Sequence, residues 1–243
     1  MGDKVIAYSL WGDNPRYTKG AIRNVELAEN VYPEWKCWVH VGDDVSNETI
    51  DELMTHKNTE VYKMGPDGGL ALGTLWRFLP ASESNVDVMI CRDVDSRLTM
   101  REKAVVDEWV DSEKGFHIIR DHPYHNVPIC AGMWGIKKGV IPNMGQLIVD
   151  YVKKDFWMVD QYFLAEVIYP LIQNDVMVHD EVVILDGLVQ ENNLGNNTTK
   201  EEALPFKHMR DEKHFVGQAY DGDDKILDDD EYFRDSVLEP KAE

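Results

Sequence analysis

No apolar run in the chain approaches the length of a membrane span, so no bilayer-crossing helix is expected. Basic residues are also scarce: 25 lysines and arginines stand against 45 aspartates and glutamates, a formal net charge of −20. Nucleic acid and anionic membrane surfaces are thereby disfavoured as partners, because most of the surface would repel them. A small anionic substrate is not excluded, since a metal ion and a few arginines can neutralise it locally. Cysteine is limited to Cys37, Cys91 and Cys130, each in an apolar context, which reads as reduced core thiols and not as a disulfide framework. There is no Gly-x-Gly-x-x-Gly and no Walker sequence, so neither dinucleotide nor P-loop binding is supported. No signal-peptide pattern precedes the first strand-like run, and Ile6 stands where a myristoylation pattern needs Ser or Thr; a cytoplasmic location is expected.

What is present argues for a folded globule. A hydrophobic fraction of 43% and seven tryptophans are ample for a core, and 243 residues suit one large domain. No internal repeat or linker breaks the chain, so a single domain is expected over residues 1–220. An acidic, solvated extension follows at 221–243.

Strand-like and helix-like segments alternate through the first two-thirds. Strands are expected at 4–10, 36–41, 59–64, 86–91 and 116–120, with helices at 17–31, 48–57 and 70–79. A further helix begins after Thr99, where Thr99 and Glu102 form a capping-box pattern. This order predicts an α/β fold, a Rossmann-like, mostly parallel central sheet with helices on both faces. Beyond residue 120 the rhythm changes. A Gly-interrupted strand is expected at 129–136, helices at 143–153 and 157–172, short strands at 175–179 and 182–185, and a polar loop or lid at 190–203.

The richest stretch is Cys91-Arg92-Asp93-Val94-Asp95-Ser96-Arg97, where a buried strand gives way within one residue to an acid pair flanked by arginines. Ligands of open α/β sheets bind beyond the carboxyl ends of strands. Two carboxylates two residues apart can hold a divalent cation and leave its other positions to water and phosphate. Asp93 and Asp95 are therefore candidate ligands of Mn²⁺ or Mg²⁺; the bland alternative is a loop in which Asp93 caps Ser96 or pairs with Arg97. Arg92 and Arg97 could complement phosphate charge or hold the aspartates in place.

Five other stretches carry candidate roles. Ser9-Leu10-Trp11-Gly12-Asp13-Asn14-Pro15-Arg16-Tyr17 follows the first strand and either starts a helix or walls a nucleotide with Ser9 and Trp11. Arg77, between Trp76 and Phe78, either makes a structural ion pair or reaches the donor. Arg120-Asp121-His122-Pro123-Tyr124-His125 and Gly132-Met133-Trp134-Gly135 suggest a carbohydrate subsite of Asp121, His122, Met133 and Trp134, with a core aromatic as the alternative. Asp160 and Gln161 open an apolar helix, where an acid is favourable as a cap or is placed to act as a base. His214, before Gly217, is either a surface histidine or a third metal ligand.

As an ordered set these motifs resemble GT-A glycosyltransferases, and more closely the glycan-building transferase domains of large algal viruses (chloroviruses) and related capsule-type bacterial proteins. The resemblance implies a nucleotide-sugar donor, UDP-linked before GDP-linked, with Asp93 and Asp95 on the metal and diphosphate. It implies that Asp160-Gln161 lies beside the donor sugar, as in retaining families, and that His214 is the third metal ligand, with His179 as its alternative. The implied reaction is metal-dependent sugar transfer to a hydroxyl of a glycan acceptor, in the host cytoplasm if the chain is virus-encoded. Two alternatives stand beside it. One is a sugar-1-phosphate nucleotidyltransferase, which needs a Gly-rich basic loop after the first strand. The other is a catalytically degenerate carbohydrate-binding domain on the same scaffold.

Overall fold

Strands that are apolar on both faces must be covered on both faces, and the segments between them supply helices with one apolar stripe each. A computed structural model of the chain describes residues 2–65, 69–122, 125, 127–152, 158–181, 203–208 and 214–227, with 69–71 described by backbone only. The strands are β1 (Asp3–Leu10), β2 (Lys36–Val41), β3 (Thr59–Lys63), β4 (Val86–Cys91), β5 (Phe116–Arg120), β6 (Trp134–Lys137), β7 (Val176–Asp180) and β8 (Ala203–Leu204). The helices are α1 (Pro15–Val31), α2 (Asn47–Thr55), α3 (Gly69–Trp76), α4 (Met100–Asp111), α5 (Met144–Tyr151), α6 (Val159–Phe163) and α7 (Tyr169–Ile172).

The strands join in one sheet, ordered β3-β2-β1-β4-β6-β5-β7-β8. All neighbours run parallel except β6, which is antiparallel to both β4 and β5. Successive residues of β1 serve opposite faces. Val5 and Ala7 join a core with α3, α5 and α6, while Ile6, Tyr8 and Leu10 join a second core with α1, α2 and α4. Cys37, Cys91 and Cys130 are buried free thiols. No described helix is long and apolar enough to cross a membrane.

The chain winds outward from β1 through β2 to β3, then returns to the other side of β1 as β4. The point between β1 and β4 is therefore a topological switch point, and a crevice opens there at the carboxyl ends of the strands.

Several local expectations need correction. The strand expected at 129–136 is confined to β6, because residues 127–133 form a loop. The helix expected at 157–172 comprises α6, a π-helical turn at Leu164–Ile168, and α7. Thr99 caps α4 by accepting a bond from the Glu102 amide (3.2 Å). The Glu102 carboxylate does not complete the capping box; it turns inward to Arg92 (3.0 Å) and the Tyr32 hydroxyl (3.1 Å). The start of the acidic extension is packed. Tyr220 bridges Ile226, and Asp224 pairs with Arg97 (2.7 Å) and Arg23 (3.2 Å). The strand expected at 182–185, most of the loop expected at 190–203 and the rest of the extension lie outside the described residues.

His40 sits in β2 with its ring against Tyr62, and burial lowers its pKa to about 4 despite a hydrogen bond to the Tyr8 carbonyl. A histidine whose folded pKa is depressed stabilises the fold fully above its unfolded value of about 6.5. That contribution, on the order of 3 kcal/mol, is lost as pH falls from about 6.5 toward 4. His117 and His179, also lowered by burial, act in the same sense. Urea unfolding at pH 7 and at pH 5 should show the loss, and His40→Gln should reduce the difference between the two.

Candidate functional site

Asn14 begins the construction of the site. Its side chain accepts from the Arg16 amide (3.0 Å) and Pro15 takes the first helical position, so α1 starts abruptly at the end of β1. This places Arg16 over the loop that follows β4. Further along α1, the fully buried Asn24 fixes that loop from beneath. It donates to the carbonyls of Val94 (3.0 Å) and Ser96 (2.8 Å) and accepts from the Leu98 amide (3.2 Å). Ser96 Oγ donates to the Asp93 carbonyl (2.8 Å), and the Tyr220 amide donates to the Asp95 carbonyl (2.8 Å). The loop backbone is thus satisfied on several sides, and the Asp93 and Asp95 side chains are left to the crevice.

Each carboxylate meets an arginine. Asp95 Oδ2 accepts from Arg16 Nε (3.0 Å) and Nη2 (2.7 Å). Asp93 pairs with Arg77 Nη1, while Arg77 Nη2 donates to Asp160 Oδ2 (3.0 Å). Arg77 therefore joins the acid loop to the start of α6. The Arg77 amide is anchored by Ser9 Oγ (3.0 Å), and its Nε is buried with no hydrogen-bond partner among the described residues. Burial and then Asp93 raise the Asp95 pKa against the pull of Arg16. Burial and Asp93 likewise raise Asp160, opposed by Arg77. Burial opposes the charge on Arg77, but the acids around it, Asp93 foremost, hold its pKa above the ordinary arginine value.

Two glycines shape the crevice. A Cβ on Gly132 would overlap the Asp93 carboxylate, so any other residue there must push that carboxylate aside. A Cβ on Gly73 would come within 2.9 Å of the Trp11 indole. Trp11 lies half-buried over this glycine, edge-on to Trp76 at 6.5 Å. At the mouth of α6, Met158 holds a left-handed conformation (φ 62°) just before Asp160, a strained backbone of the kind that collects at functional sites.

The structure thus brings together Ser9, Trp11, Arg77, Asp93, Asp95 and Asp160. Other expected residues fall elsewhere. Trp134 is fully buried, stacked on Phe116 at 5.3 Å and edge-on to Phe78 at 5.1 Å, and has no face to offer a sugar. Asp121 is equally buried. Arg101 grips it through two bonds (2.9 and 2.8 Å), and it accepts the Val216 amide (2.9 Å), which makes it a structural tie. Met133 is core, beneath Gly217, and His122 stacks on Phe215 at 4.1 Å. Gln161, with its amide nitrogen toward the Ile129 carbonyl (2.9 Å) and its oxygen toward the Ala131 amide (3.2 Å), holds the loop ahead of Gly132.

Neither histidine completes a metal shell in this arrangement. Among the described residues no three His, Cys, Asp or Glu side chains are grouped to hold a metal ion. His214 instead lines a separate cleft of about 520 Å³ with Arg23, Arg97, Arg101 and Tyr220. His179 is buried in the sheet, bonded to His117 (2.8 Å) and facing Glu108. Arg92 and Arg97 do not touch the acids either. Arg92 is committed to Glu102 and to the Cys91 and Trp134 carbonyls, Arg97 to Asp224 and loop carbonyls. Residue type alone had not singled out Arg16 or Gly132. The Asn-Pro helix start and a glycine facing the acid strand are the signals that point to them.

No protein-family model matches the sequence, and no curated protein matches it. Solved structures do resemble the fold. One is a glycosyltransferase involved in the glycosylation of the major capsid of PBCV-1, with TM-score 0.51 and 13% identity over 73% of this chain and 81% of that one. A second is the mannosyltransferase PcManGT from Pyrobaculum calidifontis in complex with GDP-Man and Mn²⁺, with TM-score 0.50 and 9% identity over 75% and 57%. A third is S. aureus TarS 1–349 in complex with UDP, with TM-score 0.50 and 10% identity over 74% and 58%. The match spans little more than half the length of the latter two. The likeness is one of fold, and this chain has the GT-A-type α/β fold.

Proposed function

We propose that the chain is a metal-dependent glycosyltransferase that moves a sugar from a nucleotide diphosphate, most favourably UDP, to a hydroxyl of a glycan acceptor, with retention. The observation that carries this reading is the acid pair Asp93 and Asp95 at the switch-point crevice, linked through Arg77 to Asp160. Proteins of the same fold solved with GDP-Man and Mn²⁺ and with UDP support it.

The donor set fits a hard divalent cation. Both ligands are carboxylates, Asp93 is 42% exposed, and the buried Nε of Arg77 lacks a partner that a phosphate oxygen would supply. When bound, Mn²⁺ or Mg²⁺ would neutralise charge building on the leaving diphosphate. Asp93 and Asp95 would hold it; Arg77 and Arg16, already in the crevice, supply further positive charge there. Trp11 offers an aromatic surface at the mouth for the base. Asp160, its carboxylate fixed by Arg77 and by the Gln161 amide (2.9 Å), faces the region where positive character develops on the sugar. On the acceptor side, His122 is the member of the expected subsite that keeps a partly exposed ring.

The test is a panel of nucleotide sugars incubated with purified protein and Mn²⁺, read as slow release of free sugar. Turnover of one UDP-sugar that stops on chelation is the expected result. Binding of sugars without turnover of any donor would favour the degenerate carbohydrate-binding alternative. Gly132→Ala should lower that turnover by about tenfold or more, because the added methyl displaces Asp93 and a displacement near 1 Å has large kinetic cost. Its melting temperature should stay within a few degrees of wild type, as the methyl meets a side chain at the crevice and not the core.

A further inference from the structure

We infer that Arg16 and Arg77 are internal counter-ions that keep a free divalent cation off the acid pair, so that metal and nucleotide diphosphate enter together. This rests on the metal-dependent reading above and adds an order and a gate to it. Asp95 is held by two nitrogens of Arg16, and Asp93 is paired with Arg77. Three carboxylates, Asp93, Asp95 and Asp160, are thus met by two guanidiniums, so most of the negative charge that would draw in a cation is already offset and each ligand is already engaged. Both arginines are largely shielded from water, with side-chain exposures of 13% and 9%, so salt screens these contacts poorly. A cation alone must compete with both. A diphosphate changes the competition, because guanidinium groups bind phosphate oxygens through parallel hydrogen bonds. Arg77 keeps hydrogen-bonding capacity for that exchange, because its buried Nε has no partner among the described residues. Moving Arg77 to the diphosphate would release Asp93 and Asp160 together, since one guanidinium holds both. Asp160 is then uncovered only when a donor is present. Coupling of this kind is reciprocal, so nucleotide tightens metal as much as metal tightens nucleotide.

The experiment measures Mn²⁺ affinity by titration of wild type, Arg77→Gln, Arg16→Gln and a control, Arg23→Gln, each with and without UDP. Arg23 pairs with Glu26 and Asp224 and does not touch the acid pair. Wild type should bind Mn²⁺ weakly alone and about tenfold or more tightly with UDP. Arg77→Gln and Arg16→Gln should each bind Mn²⁺ alone about tenfold more tightly than wild type, with a smaller gain from UDP, while Arg23→Gln behaves as wild type. Arg16 lies on an exposed helix start, so Arg16→Gln carries the test if Arg77→Gln does not fold. Unchanged or weakened Mn²⁺ binding in the folded site variants overturns the inference and leaves the proposed function standing. An equal gain in Arg23→Gln also overturns it, because net charge and not the direct contacts would then be responsible. Wild type that binds no Mn²⁺ even with UDP overturns the metal-dependent reading itself.

Discussion

Replacing Glu102 with alanine is expected to destabilise the fold by about 3–5 kcal/mol, the largest single-residue loss foreseen for this chain. Glu102 is 1% exposed, as is its partner Arg92, and their contact is 3.0 Å. The pair lies between α4 and the end of β4, where the carboxylate also accepts the Tyr32 hydroxyl. Among the described residues, removing the acid leaves a buried guanidinium with the Cys91 and Trp134 carbonyls as its remaining partners, one of its nitrogens being unpartnered already. A buried charge without its partner costs far more than the pair contributes when intact. The double variant Arg92→Met, Glu102→Leu should therefore recover much of the loss, since it buries no charge at all. Urea unfolding of the singles and the double gives the coupling directly. A Glu102→Ala loss below 1 kcal/mol would mean that the pair is hydrated and not buried as described.

The second large effect is on turnover. Under the proposed function Asp95 holds the metal that offsets the charge of the leaving group, so Asp95→Ala should reduce donor hydrolysis by roughly 10³-fold, equivalent to about 4 kcal/mol of barrier. Stability should change far less than for Glu102→Ala. The loop backbone is held by Asn24, Ser96 and Tyr220, none of which uses the Asp95 side chain. Arg16, whose side chain is 13% exposed, loses two hydrogen bonds, for which a loss of about 1–3 kcal/mol is expected. Turnover and melting temperature measured on the same preparation separate the two roles. Undiminished turnover, or wild-type activity indifferent to a chelator, would remove Asp95 from the metal assignment. A collapse of both readouts would identify Asp95 as a structural partner of Arg16.

Which features the sequence disclosed follows from how local their physical cause is. The acid pair was legible because a continuous apolar strand, β4, ends abruptly in charge, and strand ends face the crevice in this fold class. The β/α alternation through residue 120 was legible for the same reason, since burial on both faces writes itself into each strand. The sense of β6 was not. A strand of four residues, Trp134–Lys137, is inserted antiparallel by long-range pairing with β4 and β5, and nothing local records its direction. Trp134 stands open in the sequence between a sugar platform and a core aromatic, because the residue type suits both. Only its neighbours Phe116 and Phe78 distinguish them. Asp121, expected in the same subsite, is tied instead to Arg101, a residue of a different element. Arg77 had been read as either a structural ion pair or a donor contact, and its partners Asp93 and Asp160 show why the two readings resisted separation.

The π-helical turn at Leu164–Ile168 follows directly on α6, the helix that carries Asp160. A π turn accommodates one residue more than the α-helical ladder around it. Each residue of an α-helix advances the side-chain direction by about 100°. Deleting a single residue from this turn would let the segment close up as one regular helix. The extra residue is taken up within the turn itself, so its deletion would leave α6 and α7 close to their present phase and Asp160 still in line with Arg77. The turn is thus a place where this helix can lose one residue without moving the carboxylate out of the crevice.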